Sequence, residues 1–337
     1  MTVITDRAGV GPQQPATHTP DRDPGSARRT SSLDVVRPDG PAEPARVVGR
    51  ARDLVTDADG VGHVVARQTL AALLAPTLEL REISSDPVEA ALLRLVGRHV
   101  ASGFRRAVVE ELPDARRDAT LLYLLLDDLP VATLVSGYAL QRAGLVPDVP
   151  REMYTPTVDL CSGWRAGGTL MQVLEVDGMP PMTLGPPAPK LERDDDPDAW
   201  HELPDAAPRT VRRRRRIDVR VGKELIVDAM FRDSHFDDDG NESVVHEYAL
   251  SATIDTTTLE ITAADATPHV LPYVECPSAA ASATRLVGLH LDELRDRVRA
   301  EFVGTSTCTH LNDLLRSLED TRAMCTLVPL SSNVGNG

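Results

Sequence analysis

The sequence predicts an α+β fold made of two tandem, divergent copies of one unit. Each unit is a small antiparallel sheet followed by two helices, and the copies are related by a pseudo-two-fold axis. Three observations predict this. Residues alternate in strand fashion at the start of the second half, apolar residues recur at three-and-four spacing towards the end of each half, and the halves match each other in collinear order.

The strand signal is period two. Ile217, Val219 and Val221 alternate with polar residues, and so do Tyr248, Leu250, Ala252 and Ile254. AspAspAspGlyAsn at 237–241 is the turn between two such runs. It faintly resembles a calcium loop but lacks that loop's ligand spacing. The helix signal is three-and-four spacing from Val88 to Val108, through Ala91, Leu92, Leu95, Val96, Val100 and Phe104. A more fully buried helix begins at Thr120–Leu126, and two more are expected near Ala279–Phe302 and Thr309–Met324.

Residues 1–43 are rich in Pro, Gly, Arg, Ser and Asp, show no apolar period, and are expected to be disordered. Residues 44–145 form the first, degenerate repeat, and 146–208 a connector rich in Pro and Asp. Its prolines from Pro180 to Pro208 rule out continuous helix or central strand there. The second repeat occupies 209–326, and a flexible tail is expected at 327–337.

At an offset of 180, Arg52–Asp53 falls on Arg232–Asp233, 57–60 on 237–240, and 64–65 on 244–245. Further on, LeuValGly at 95–97 matches 286–288, His99 matches His290, and Thr120 matches Thr309. The comparison isolates an asymmetry. His246 corresponds to Ala66, Cys308 to Ala119 and His310 to Leu121, while Cys276 lies in a segment the first half lacks. A scaffold copy that has lost its site would look like this.

Composition bounds the function. The formal charge of −15 opposes non-specific binding to nucleic acid or an anionic membrane, because the mean field repels phosphate. No run of about 20 apolar residues is read as a membrane span, and the N-terminus lacks the pattern of a secretory signal. Four cysteines in 337 residues do not make a disulfide scaffold, so a cytoplasmic setting with reduced thiols is expected. The Ala, Arg, Asp and Pro content suggests a bacterial genome.

The strongest local signal is GlyThrSerThrCysThrHisLeuAsn at 304–312, a small-residue loop running into an apolar-periodic helix. Thr307 or Thr309 is the expected N-cap, which places Cys308 and His310 at a helix N-terminus, where the dipole favours a thiolate. In a metal reading His246, Cys276, Cys308 and His310 are the ligands, a donor set suited to zinc. In a nucleophile reading Cys308 attacks an acyl carbon, His246 or His310 is the base, and Asp228 or Asp233 orients it. A third reading is structural, with a buried Cys and a packed His. Asp228, Asp233 and His246 are expected to share one face of a hairpin. Cys161 could reach the second unit, and Cys325 carries no role. The basic run Arg212–Arg216 either binds a phosphate or alternates along an edge strand and pairs with the acidic connector.

From about Arg213 to Met324 the chain resembles the bacterial family catalogued as domain of unknown function 2889. The resemblance rests on the basic run before IleAspVal, ValAspAlaMetPheArgAspSerHis, ValHisGluTyrAlaLeuSerAlaThrIleAsp, ProTyrValGluCysPro, LeuValGlyLeu and CysThrHisLeuAsnAspLeuLeu. Ile226 stands where an acid is usual, and Thr307 where glycine is typical. The resemblance supports His246, Cys276, Cys308 and His310 as a set and carries no reaction. Its association with aromatic or acyl-CoA catabolism implies a small-molecule partner.

The functional expectation is therefore a zinc-assisted hydrolase or lyase acting on a small acyl or carbonyl substrate, with Asp233, His246 and Cys308 in catalytic roles. One alternative is a non-catalytic binding or scaffold protein with a structural Cys/His cluster. Another is a metal-free cysteine enzyme. A monomer with an internal pseudo-dimer, or a homodimer, is expected.

Overall fold

The computed structural model describes residues 3–4, 10–40, 42–145 and 151–328. Within these, a mixed arrangement of helices packs on an antiparallel sheet. A two-residue strand β1 (Val3–Ile4) pairs in parallel with β6 (Met182–Thr183). The remaining strands are β2 (Ser26–Val36), β3 (Ala45–Thr56), β4 (Gly62–Leu74), β5 (Leu80–Asp86), β7 (Val211–Val221), β8 (Glu224–Phe236), β9 (Glu242–Asp255) and β10 (Ile261–Val270). They form one eight-stranded sheet in the order β10-β9-β8-β7-β2-β3-β4-β5. The halves thus share a single sheet, joined where β2 pairs antiparallel with β7.

Residues 26–36 were expected to be disordered, and they form this central strand instead. SerAlaArgArgThrSerSer shows no apolar period because its polar side chains find buried partners. Arg29 pairs with Asp53 at 2.7 Å, and Thr30 and Ser32 each lie 2.9 Å from a ring nitrogen of His201. The part of the expected tail from 329 onward, and residues 1–2 and 5–9, lie outside the described residues.

The helices are α1 (Phe104–Glu111), α2 (Pro113–Arg117), α3 (Leu121–Val135), α4 (Gly137–Arg142), α5 (Thr169–Asp177), α6 (Leu294–Glu301), α7 (Thr309–Ser317) and α8 (Asp320–Leu327). The helix expected over Val88–Val108 is instead a 3-10 turn, Ala90–Leu95, followed by α1. Gly97 and Gly103, at φ 84° and 91°, adopt backbone that ends a right-handed helix. Gly288, at φ 83°, divides the helix expected over Ala279–Phe302 in the same way. Thr120 caps α3 by accepting the Tyr123 amide at 3.2 Å. The apolar run Leu121–Arg142, against the expectation of no such run, is long and apolar enough to cross a bilayer by length and composition alone. Most of its apolar stretch is buried inside the protein, as a core helix.

The sheet has two unlike faces. On the helix-covered face, Ile217, Val219, Val227, Phe231, Tyr248 and Leu250 pack under Leu311, Leu314 and Leu315 of α7. The first half's core sets Leu33, Val47 and Leu70 against Leu122, Leu125 and Leu129 of α3.

The opposite face is polar and covered by the connector together with residues 10–25. Arg28 donates to the Pro20 and Ala199 carbonyls, Arg52 to Asp198, Arg212 to Pro204, and Arg232 to Pro189 and Ala16. A proline-rich strap lacks many amide donors but keeps its carbonyls. Guanidinium groups on the sheet satisfy them. Trp200 and Leu191 add an apolar contact on Met230.

The run Arg212–Arg216 is therefore neither at an edge nor free to hold a phosphate. It lies on central strand β7, with all five side chains buried. Arg212, Arg214 and Arg216 face the strap side and pair with Asp34, Glu242 and Asp228. Arg213 and Arg215 face the helices, where Asp128 of α3 lies 3.3 Å and 2.5 Å from them. The reverse link is Arg29 of β2 to Asp320 of α8 at 3.2 Å. Each half thus supplies carboxylates for the other's buried arginines.

Asp128→Ala leaves Arg213 and Arg215 short of a buried counter-charge and should cost about 3–5 kcal/mol in urea unfolding. Arg117→Ala, at an exposed pair with Asp114, should leave the unfolding midpoint unchanged, and equal effects would contradict the network. Burial, with Arg52 and Arg50 nearby, pushes the His201 imidazole down to about 3. The unfolded chain takes up this proton near pH 6.5 and the folded chain does not. His201 therefore removes up to about 1.4 kcal/mol of stability per pH unit as pH falls below about 6.5. His201→Gln should flatten that part of the stability profile between pH 6.5 and 4.5, and parallel profiles would refute the assignment.

Candidate metal centre

Asp233 and His246 are directly opposite each other in the β8–β9 hairpin, and a bulge follows Asp233. The hairpin is closed by the turn expected at 237–241, where the Asp237 carboxylate accepts the amides of Asp239 and Asn241. Cross-strand partners share a face, so Asp233 and His246 both project toward the helices. Asp228 does not join them. It is an odd number of residues from Asp233 and pairs with Arg216 on the strap side.

The third member comes from α7. Cys308 is the N-cap residue in extended backbone, and the Thr307 hydroxyl turns back to the Gly304 carbonyl at 3.0 Å rather than capping. His310, in the first turn, stacks on His246 with ring centroids 4.1 Å apart and planes 19° from parallel. Asp233, His246 and His310 each offer a ligand atom, and these lie within 4.8 Å of one another, so the group could hold a metal ion. His246 Nδ1 is 3.8 Å from Asp233 Oδ2. His246 Nδ1 and His310 Nε2 are both buried without a hydrogen-bond partner. Two such nitrogens beside one carboxylate make a donor set suited to a divalent cation.

The electrostatics fit neutral imidazoles. Burial, then His310 and Arg213, drive the His246 pKa well below its ordinary value. Burial, with Arg213, pushes His310 down to about 3. Their lone pairs are therefore open to a cation at neutral pH. Burial pushes the Asp233 carboxyl up to about 6, helped by Asp128 and Asp313 and opposed by Arg213. Arg213 Nη1 donates to both Asp233 oxygens, at 2.8 and 2.9 Å, and its guanidinium lies 4.6 Å over the Phe231 ring.

The two cysteines occupy a neighbouring position. Cys308 Sγ lies 4.0 Å from His310 Nδ1, behind the ring rather than beside its unpartnered nitrogen. Cys276 begins the 3-10 helix Cys276–Leu286, and its carbonyl accepts from Tyr248 and Ser162, each at 3.3 Å. Its sulfur sits against Gly163, where an added Cβ would be 2.9 Å away. Neither sulfur belongs to the group of converging ligand atoms found among the described residues. Burial pushes the Cys308 thiol up to about 12, outweighing the His310 and Leu311 amides at the helix start. The thiolate expected from the helix dipole is thus opposed by desolvation. Cys161 is also buried, and Cys325 is partly so.

Asp233, expected as a proton handler or orienting group, stands in the structure as a possible ligand. Arg213, Asp128 and Asp313 went unnoticed as its electrostatic frame. One signal was available: two adjacent acids, Asp127 and Asp128, interrupt an otherwise apolar helix, and buried acids need partners.

Residues 211–324 match the model of a family described as a protein of unknown function (DUF2889). No curated protein and no solved structure matches the chain.

A buried thiol held at about 12 should react slowly with iodoacetamide. Timed alkylation at pH 7 with peptide mass mapping should modify partly exposed Cys325 before Cys308. Faster labelling of Cys308 would restore the nucleophile reading.

Proposed function

We propose that Asp233, His246 and His310 hold one zinc ion and that the protein is a metal-assisted hydrolase or lyase acting on a small acyl or carbonyl substrate. The observation that carries this reading is the pair of buried, unpartnered ring nitrogens facing one carboxylate. Zinc with three protein ligands keeps an open position and lowers the pKa of bound water towards about 7. The chain's own residues arrange the rest. Arg213 fixes the Asp233 carboxylate and keeps it ionised against burial. The low His246 and His310 pKa values keep protons from competing for the ring nitrogens. Cys308 behind His310 is placed to accept its Nδ1–H, which would fix the tautomer that leaves Nε2 free.

We also infer that the halves arose by tandem duplication and that the first copy lost the site. In the first half Arg29 opposes Asp53, and Asp53 opposes Ala66. In the second half Arg213 opposes Asp233, and Asp233 opposes His246, with a bulge after the aspartate in each half. Leu121 follows Thr120 as His310 follows Thr309. The arginine–aspartate pair recurs without the imidazoles. In this reading the first half is a pseudo-dimeric partner whose Asp128 supports the second half's arginines. The substrate, of aromatic or acyl-CoA type, would be met in a bacterial cytoplasm.

A second reading, a structural cluster that holds no metal and does no catalysis, is favoured by the two hydrogen bonds that Arg213 already makes to Asp233. Metal content separates the two. Elemental analysis of the full chain, purified without chelator, should find about one zinc per molecule. His246→Ala combined with His310→Ala should lose it, and Cys276→Ser should keep it. Metal-free wild-type protein would remove the first reading and leave the second.

A further inference from the structure

A cleft of about 760 Å³ lies between the helices of the two halves, lined from α1 and α3 on one side and from α6 and α7 on the other. It does not include His246 or His310. Asp313 and Arg316 of α7 face it, while His310 on the same helix stacks on the sheet side. Its volume lies in the range of small-molecule sites.

The rim is apolar and exposed. Leu134, Leu160 and Val303 are 66%, 49% and 63% exposed, and all three line the cleft, with Phe302 and Val131 deeper. Large aliphatic side chains gathered at the mouth of a cavity are unfavourable in water unless something covers them.

The floor is cationic beyond its own acids. Arg105, Arg116, Arg295, Arg299 and Arg316 line the cleft, against Asp127, Asp159, Asp296 and Asp313. Arg116 pairs with Asp296 at 2.7 Å, and Arg295 bonds Asp320. Arg105 and Arg316 share Asp127 and Asp313. Desolvation would raise Asp127, yet Arg316, Arg105 and Arg295 hold its pKa far below the usual carboxylate range, so it remains an anion with nothing to donate. Two cationic groups remain for a ligand. Arg316 Nη2 is buried without a partner, and Arg299, exposed at the rim, has no acidic partner among the described residues; the unpartnered acceptors of the same lining are Asn312 Oδ1 and Asp313 Oδ2. A guanidinium N–H left unpartnered beside an apolar cavity matches a carboxylate oxygen.

We propose that this cleft binds a small monocarboxylate on an apolar alkyl or aryl body. The carboxylate meets Arg316 and Arg299, and the body covers Phe302, Val303, Leu134 and Leu160. The site is separate from Asp233, His246 and His310 and does not rest on the metal reading.

Isothermal titration calorimetry of the full chain with octanoate and with octanol tests this. Octanoate should bind about tenfold more tightly than octanol, the difference expected of one charge-assisted contact. Arg299→Ala should reduce that preference while leaving octanol affinity and the unfolding midpoint unchanged. Leu134→Glu, at an exposed rim position, should weaken octanoate by like-charge repulsion. The combined His246→Ala, His310→Ala variant should bind octanoate as the wild type does. Equal affinity for acid and alcohol, no octanoate heat at millimolar ligand, or binding unaltered in both cleft variants would overturn the proposal. Loss of octanoate binding in the histidine variant would overturn it too, by placing the ligand at the metal centre.

Discussion

Arg29, Arg213 and Arg215 lie on the helix-covered face of the two central strands, where no water replaces a missing partner. A buried guanidinium without a carboxylate costs several kcal/mol, so each requires an acid at hydrogen-bonding distance. Asp53 and Asp233 supply one each from the neighbouring strand. The others come from helices of the opposite half, Asp128 for Arg213 and Arg215, and Asp320 for Arg29. This requirement fixes how α3 and α8 sit on the sheet. It also explains why the two halves share one sheet, because separating them would strand these charges.

The candidate metal centre grows out of the same network. Arg213 orients Asp233, and the β8–β9 register sets His246 opposite it. The first turn of α7 then brings His310 over His246. On the sheet's other half the arginine–aspartate pair is present with Ala66 in place of the imidazole. The buried ion pair is thus a feature of the scaffold in both halves, and the second half adds the histidines. The two sheet faces divide the work further. Arg212 of β7 and Arg232 of β8 hold a proline-rich strap by its carbonyls, and Arg213 and Arg215 hold the helices.

Much of the second half could be read from the sequence. Period-two alternation located β7 and β9, and the Asp-rich turn located the hairpin that opposes Asp233 to His246. The Leu-rich run at Thr120–Leu126 located α3 and apolar periodicity located α7, while three-and-four spacing over Val88–Val108 did not give one helix; the comparison of halves singled out His246 and His310. The reading failed where polar residues are buried. Strand β2 looked like a disordered tail because its arginines, serines and threonine carry no apolar period. The run at 212–216 looked like an edge or an anion site for the same reason.

The sequence by itself determined which segments alternate and which side chains could bind a cation, because these depend on local spacing and residue chemistry. Only the tertiary structure decided which of those side chains converge. Cys276 and Cys308 are good zinc ligands by type, yet Cys276 packs against Gly163 and Cys308 sits behind the His310 ring. Asp233 joins His246 and His310 because strand register and helix placement, set by distant charges, put them within 4.8 Å. Such convergence involves residues far apart in the chain, and no local spacing encodes it.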